Sequence, residues 1–540
     1  MGVEGAAVSP AEATRYRAAG WWSDTTLSEC VGRNAASAPD RPAYVDFSAD
    51  ASGYQFSWRE FDHAATNLAN QLANLGIVAG DRVAVWHHDN SAIHVLLIAI
   101  ERCGAATVGL GARAGVREVT QLLQTAQPAL LVADAEHLEP AQRAVATANP
   151  TLRVVGVGTD ATALVVDTGP PAATGSTRQP AGADDVFLIN STSGTTGLPK
   201  CVVHTQNRWH YFHQKAMANG ELTSADVFLP VIPTPFGFGI WTSHTTPIYL
   251  GATTVRIERF SAEATCAAIE RHRATVLCCV STQLAMIIAH EAARARELGS
   301  LRVVFTGGEP LPYRQAAEFE ALTGATILQF YGSNETGMLS ATSVTDPLHR
   351  RLRSAGRIVP EMQVRLFDGD RDVTESGRGQ PVCRGPALSL GYLGGTDHDQ
   401  LYTRDGWMRM GDICELDAEG YLSLVGRTSD FILRGGKNIS AVQVEEAVTT
   451  HPAVAVAAAV AMPDPLFGER VCVFVELKYP DEAFDLAALG AHLLAQGTSK
   501  ELLPERLEVL DELPRSSGGK IAKGQLRERI RMELGVGVEA

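Results

Sequence analysis

Between Thr192 and Lys200 the chain places hydroxyl side chains at Thr192, Ser193, Thr195 and Thr196, glycines at 194 and 197, and then a lysine behind Pro199. Glycines let backbone N–H groups approach an anion closely, and the hydroxyls add donors, so Thr192, Ser193, Gly194, Thr195, Thr196, Gly197 and Lys200 read as a phosphate-handling loop. A kinase- or GTPase-type phosphate loop is excluded. That motif needs Gly-Lys followed at once by Ser or Thr to open a helix, whereas Pro199 precedes Lys200 and Cys201 follows it. Strand-like text at 186–190 comes before the loop, and Val202, Val203, His204 and Thr205 return the chain into another element after it. A mobile loop between strands is therefore expected, and not a helix cap. Taken alone, the string also fits a polar linker.

A chain of 540 residues exceeds what one hydrophobic core serves, so at least two domains are expected, and 45% apolar residues suffice for ordinary cores. From about residue 30 to 330, helical stretches alternate with short apolar strands, as in residues 61–75, 82–86 and 91–102, the pattern of layered α/β sheets. Residues 168–184 read as a surface excursion. After Ala355, glycine-punctuated short strands run to Val425 and suggest a small barrel-like β unit. A βα pattern then resumes, with strands at 431–433, 453–460 and 471–476 and a helix at 440–450. The expected boundary lies at Arg427 to Asp430, giving an N-terminal domain over 1–428 and a small, mobile α+β C-terminal domain over 429–540. The formal charge of −15 argues against a nucleic-acid or anionic-membrane partner. Nine cysteines without a zinc-like pair of CxxC pairs read as free thiols in a reducing compartment, and Cys278 and Cys279 as core. No basic-then-apolar leader opens the chain, so a cytoplasmic location is expected. His210 and His213 have one-turn spacing near His204, but no acidic or cysteine ligands accompany them, so an ordinary helix is expected there.

Further short motifs follow in order. They are Gly307, Gly308, Glu309, Pro310 and Leu311; then Gln329, Phe330, Tyr331, Gly332, Ser333, Asn334, Glu335, Thr336 and Gly337; then Gly411 with Asp412; then Gly426 to Asp430; then Arg434, Gly435, Gly436, Lys437, Asn438 and Ile439; and finally Pro514 to Lys520. With the phosphate loop, this ordered set resembles the adenylate-forming (ANL) superfamily over nearly the whole chain. That superfamily includes acyl-CoA synthetases, peptide-synthetase adenylation domains and firefly luciferase. The resemblance implies an AMP-forming acid–thiol ligase, with ATP/AMP, Mg2+ and coenzyme A as cofactors and cosubstrates and a small-molecule carboxylic acid as substrate.

The chemistry explains the residue types. A carboxylate is a poor acyl donor because its leaving group would be oxide, so AMP is attached first and pyrophosphate departs. Such a site needs a clamp for phosphates, a divalent cation, an adenosine pocket and a cation near the acyl phosphate. Glu335 suits a hard cation shared with phosphates. Tyr331 offers a flat ring to adenine, and the turn Gly307 to Pro310 allows close backbone approach. By resemblance, Gln329, Gly332 and Ser333 also line the nucleotide, Asp412 accepts the ribose hydroxyls with Arg427 assisting, and Lys520 is the catalytic cation carried on a lid. Arg434, Gly435 and Gly436 would line a thiol tunnel in a second arrangement. Phe236 stands at the position of an acyl gate, and with Gly237, Phe238, Gly307 and Met338 it implies a hydrophobic pocket for an aliphatic, alicyclic or aromatic acid. No acidic residue stands at 233–240 to hold an amino acid's ammonium group.

Four departures bear on function. Asn334 stands where relatives usually carry Thr near the α-phosphate, Cys201 replaces a common glycine, Met410 replaces Thr or Ser, and Ser429 takes a hinge position. An amide still donates a hydrogen bond. They leave open a thiolation-only enzyme working on a delivered acyl-adenylate. A ligase loading a carrier protein in trans, or a retired nucleotide- or acyl-binding sensor, also stays open, as does a monomer or a homodimer.

Overall fold

The computed structural model describes residues 8–48, 53–158, 163–165, 179–192, 200–308, 311–394, 401–427, 430–434, 437–479, 484–516 and 520–535. Among these, strands form four sheets. The first runs in the order Leu164–Val165, Arg153–Val157, Leu130–Ala133, Arg82–Trp86, Ala106–Leu110, Val186–Thr192, Lys200–Thr205. Its inner strands are parallel and its two end strands antiparallel. Parallel strands carry helices on both faces and so read as unbroken apolar runs, which is what residues 83–86 and 130–133 are. All of them are buried.

The second sheet is built round parallel strands Val303–Gly307, Val276–Cys278, Val227–Pro230 and Thr253–Arg256, and towards one end Thr326–Ser333 and Gly337–Ala341 form an antiparallel pair. The β unit expected after Ala355 is a six-stranded antiparallel sheet that includes Gln363–Asp368, Arg378–Arg384, Asp412–Leu416 and Leu422–Arg427. The fourth sheet starts at Phe431 and pairs the long hairpin Val454–Asp464 with Gly468–Leu477. The fold is thus mixed α/β, with a large N-terminal body of sheets and helices and a smaller C-terminal one.

Local sequence explains the helices that buttress these sheets. Helix Trp58–Asn74 starts at Ser57, whose side chain caps Glu60 while Glu60 returns the bond, and buries Phe61, Ala65, Leu68 and Leu72. Helix Ser91–Arg102 is capped by Asn90 and buried from Ser91 through Glu101. Helix Ala441–Val448 is capped by Ser440, so the helix read at 440–450 loses one residue at its start to the cap. Cys278 and Cys279 are core residues, and the cysteines are free and buried. Among the described residues no helix is long and apolar enough to cross a membrane.

The C-terminal body docks on the large one through named contacts. Arg314 donates to the Thr450 carbonyl (2.9 Å), Gln315 to the Ala455 carbonyl (3.1 Å), and Ala285 joins the apolar cluster of Val456, Phe474 and Leu513.

Leu68 is fully buried between helices. Leu68→Ala is expected to destabilise the N-terminal body by about 2–5 kcal/mol through lost burial and a residual cavity, measured as a lowered midpoint in urea followed by circular dichroism.

Candidate active site

The strands Val186–Thr192 and Lys200–Thr205 pair antiparallel with Thr192 opposite Lys200, so residues 193–199 connect two strands. Helix Gln206–Gly220 begins only afterwards. Ser193, Gly194, Thr195, Thr196 and Gly197 lie outside the described residues. Lys200 Nζ sits 5.0 Å from the ring centroid of Tyr392, and the Tyr392 hydroxyl donates to Glu335 Oε1 at 2.8 Å. Tyr392 reaches this position because it bridges Val202 beside the loop strand. One aromatic residue, not identified from sequence, therefore joins the loop lysine to the carboxylate expected to hold a metal. A hard cation at Glu335 would use carboxylate lone pairs beyond the one Tyr392 takes, so the donor set fits Mg2+ shared with phosphate oxygens.

Glu335 is carried on a tight turn between Thr326–Ser333 and Gly337–Ala341. Ser333 Oγ accepts from the Glu335 and Thr336 amides at 3.2 and 3.1 Å, and the Ser333 amide donates to Thr336 Oγ1 at 2.9 Å. Gly337 has φ +67°, and a Cβ there would lie 2.6 Å from the Ala387 carbonyl oxygen. A Cβ on Gly332 would meet the Gly337 carbonyl oxygen at 1.7 Å, so this hairpin requires its glycines.

Behind the turn lies a buried polar chain. Arg208 Nη1 donates to the Asn334 carbonyl at 2.8 Å and to His204 Nδ1 at 2.5 Å, and His204 Nε2 in turn donates to Asn190 Oδ1 at 2.7 Å. Asn334 Nδ2 donates to the same Asn190 oxygen at 2.6 Å, and Asn190 Nδ2 returns bonds to the Pro235 carbonyl (3.0 Å) and Asn334 Oδ1 (3.2 Å). Burial, with Arg208 beside it, pushes His204 well below the ordinary histidine range, consistent with a neutral ring that donates through Nε2 and accepts through Nδ1. Burial pushes the Arg208 guanidinium down to about 9, with the Glu335 carboxylate opposing, so it remains a cation at neutral pH. One amide hydrogen of Asn334 is thus committed to Asn190; the amide has a second. His213 bonds Thr246 and His210 bonds Gln214, so the histidines of this region make an ordinary hydrogen-bonded helix.

The Tyr331 hydroxyl donates to Asp412 Oδ2 at 2.8 Å, and Asp412 stands opposite Arg427 in the sheet. Burial, reinforced by the Asp412 charge, pushes Tyr331 well above the usual phenol range and keeps it a donor. Its ring is 5% exposed and packed in the main core, so most of its surface is already covered by protein. The Gln329 amide donates to the Arg351 carbonyl at 2.7 Å. A Cβ at Gly307 would press on Phe330, and Gly308 has φ +79° with its Cβ position only 2.7 Å from Lys520 Nζ. Lys520, from the C-terminal body, therefore lies against Gly308. Glu309 and Pro310 lie outside the described residues.

Phe236 precedes a short helix, Gly237–Ile240, that continues into the π-helical turn Trp241–Thr245. Phe238 stacks on Trp241 (5.7 Å) and meets Phe330 edge-on (4.7 Å), and Trp241 is 5.0 Å from Phe330. Met338 is buried. A Cβ on Gly237 would sit 2.7 Å from Asn334 Oδ1, so this loop touches the residue beside Glu335. Asp89 reaches it from a distant segment, accepting from the Thr234 amide at 2.9 Å, but Arg256 pairs that carboxylate at 2.9 Å. Arg434 bonds Glu505 and the Glu501 carbonyl within the C-terminal body and is not brought to this group; Gly435 and Gly436 lie outside the described residues.

Two family models match the chain. The AMP-binding enzyme model covers residues 31–393, and the AMP-binding enzyme C-terminal domain model covers 443–520. The medium-chain fatty-acid–CoA ligase of Escherichia coli (strain K12) is 30% identical over 96% of this chain and 93% of its own length. The salicyl-AMP ligase / salicyl-S-ArCP synthetase of Mycobacterium tuberculosis (strain ATCC 25618 / H37Rv) is 31% identical over 99% and 96%. The crystal structure of an anthranilate CoA ligase in complex with anthranoyl-AMP superposes with a TM-score of 0.84 at 22% identity, covering 95% of this chain and 98% of that one, a likeness of fold. With its motifs in family order and both family models matched, the chain belongs to the AMP-binding enzymes of the adenylate-forming superfamily.

Proposed function

We propose that the protein is an acyl-CoA ligase that activates a hydrophobic carboxylic acid as its acyl-adenylate and passes the acyl group to coenzyme A. The observation that carries this reading is Lys520, whose ammonium lies against Gly308 at the edge of the group formed by Tyr331, Asp412 and the Glu335 turn. A binding module has no use for a lid cation delivered there.

In the first half-reaction a substrate carboxylate oxygen attacks the α-phosphorus of ATP, the new O–P bond forms, and the bond to the β-phosphate bridging oxygen breaks to release pyrophosphate. Loop residues 192–197 and Lys200 hold the leaving phosphates, Asp412 and Arg427 orient the ribose, and Lys520 offsets charge on the oxygens around phosphorus. A divalent cation at Glu335 supplies further charge stabilisation when bound. In the second half-reaction the thiol sulfur attacks the acyl carbon, the thiol proton is lost, and AMP leaves. For this step the C-terminal body, 429–540, turns against the N-terminal one, 1–428, about the segment Arg427 to Asp430, and presents Arg434, Gly435 and Gly436 to the thiol.

The acid is placed by chemistry alone. Phe238, Trp241 and Phe330 make an aromatic wall beside Phe236 in the chain, and Asp89, a carboxylate that bonds the loop at Thr234, is neutralised by Arg256. That favours aliphatic, alicyclic or aromatic acids over amino acids.

With a panel of such acids plus ATP and Mg2+, pyrophosphate release and a coenzyme A thioester are expected. Thioester on a purified carrier protein and none on free coenzyme A would replace coenzyme A as acceptor. Lys520→Ala is expected to lower pyrophosphate release by about 100- to 1,000-fold while a supplied acyl-adenylate still forms thioester; equal loss of both halves would remove Lys520 from its role. Phe238→Ala is expected to lower kcat/KM for the preferred acid by about 10- to 100-fold, as the loss of packing in a hydrophobic pocket does, with the KM for ATP unchanged. A rise in the KM for ATP alone would place Phe238 away from the acyl pocket.

A further inference from the structure

We propose a second metal site, separate from Glu335, in which His88, Asp134 and His137 bind a zinc-type divalent cation. The strand Arg82–Trp86 runs directly into His87 and His88, and its parallel neighbour Leu130–Ala133, with Trp86 opposite Ala133, runs into Asp134. From Arg82–Trp86 the chain crosses to Ala106–Leu110 on one side and then returns to Leu130–Ala133 on the other. The crevice beyond the carboxyl ends of two such diverging strands is where open α/β sheets bind ligands.

The ligand atoms converge there. His88 Nδ1 lies 2.7 Å from Asp134 Oδ2, His137 Nδ1 lies 2.7 Å from Asp134 Oδ1, and all three groups fall within 4.8 Å of one another. Bonds of about 2.0–2.2 Å to a cation among them require only small side-chain rotations.

The outer nitrogens are arranged as metal-ligating histidines require. His137 Nε2 donates to the Ala112 carbonyl at 2.8 Å, and His88 Nε2 faces Glu136 Oε2 at 3.2 Å. Without an ion each Nδ1–H donates to the Asp134 carboxylate; metal binding displaces those two protons, and the acceptor on each outer nitrogen then keeps the remaining proton there and leaves the Nδ1 lone pair for the ion. The His88 and His137 backbone amides hold the Asp134 carboxylate from behind, at 2.7 and 3.0 Å. His87 comes within 3.8 Å of Asp134, but its Nδ1 is occupied by the His88 carbonyl at 2.8 Å, so it is not a ligand. Asp134 and His137 are buried, while the His88 side chain is 14% exposed, which leaves a route from solvent.

Two imidazole nitrogens with one carboxylate oxygen suit Zn2+ and its borderline neighbours, whereas Mg2+ prefers oxygen throughout. A filled site would brace the seam between the two large sheets. Glu136 also bonds Arg259, His88 lies 3.9 Å from Glu258, and the next residue, Asp89, holds Thr234 of the acyl loop.

The test uses full-length, tag-free protein stripped by a chelator and titrated with zinc chloride against a chromogenic competitor. One equivalent is expected to bind with an apparent Kd of about 1 µM or tighter, with Glu335→Gln leaving that equivalent unchanged. His88→Ala, a change at the partly exposed member, is expected to weaken binding by about 10- to 100-fold, with folding checked by circular dichroism. Cobalt loading of the unaltered chain gives a readout that needs no variant: intense visible d–d bands of a four-coordinate ion are expected. Absence of a saturable equivalent, binding indifferent to His88→Ala, or a weak octahedral cobalt spectrum would overturn the site and leave a carboxylate charge-paired to two imidazolium rings.

Discussion

The buried hydrogen-bond chain through Asn190 holds the candidate site together. Asn190 belongs to the strand Val186–Thr192, Asn334 to the turn that carries Glu335, Pro235 to the segment before the helix Gly237–Ile240, and His204 to the strand Lys200–Thr205. Two neighbouring strands and two segments farther off in the sequence thus meet on one carboxamide. Its oxygen accepts two bonds and its nitrogen donates two, which exhausts what a carboxamide ordinarily makes. Leaving a buried group of this kind unpaired costs about 1–3 kcal/mol each, so sliding any one segment breaks bonds on the others. Relative position between two sheets becomes a property of hydrogen bonding, which is directional, in addition to apolar packing, which is not.

Around this anchor, glycines set the spacing. Gly237 sits against Asn334, Gly332 against the Gly337 carbonyl, and Gly308 against Lys520. In each place a side chain would occupy space already taken by a group of the site, so glycine here acts through missing volume as much as through backbone freedom. The Lys520 contact differs from the other two because its partner belongs to the C-terminal body. Its ammonium is held at the end of a flexible stem, and the contacts of Arg314 and Gln315 that seat that body are single hydrogen bonds to backbone carbonyls. Beside them Ala285 joins the apolar cluster of the C-terminal body, so the contact between the two bodies combines backbone hydrogen bonds with a small apolar patch.

What sequence made legible was local. The strand Arg82–Trp86 and helix Ser91–Arg102 coincide with their expected limits, since an unbroken apolar run and an Asn cap are both contained within a few residues. The hairpin geometry flanking residues 193–199 was legible for the same reason. The union of Lys200, Tyr392 and Glu335 was not, because Tyr392 reaches the loop strand through a single bridge from nearly two hundred residues away and no periodicity marks it. Arg208 was equally hidden: in a helix of mixed polarity it looks like a solvent-facing arginine, and only packing makes it 1% exposed. Asp89 shows how absence from a motif can mislead. No acid occurs in residues 233–240, yet a carboxylate reaches that loop through tertiary structure and arrives already paired with Arg256.

Arg208 also clarifies why Asn334 is compatible with a working site. A guanidinium this deeply buried pays a large desolvation cost, and an anion nearby that offsets it is Glu335. Since Arg208 bonds the Asn334 carbonyl and His204 without a direct ion pair to Glu335, its field acts along the turn and not at one contact. At an effective dielectric of about 20, a charge pair several ångströms apart is worth about 2–4 kcal/mol, enough to bias the turn without clamping the carboxylate. Position 334 bears on that balance mainly through its backbone carbonyl, which accepts from Arg208 and which every residue type supplies, while its side-chain amide is held by Asn190.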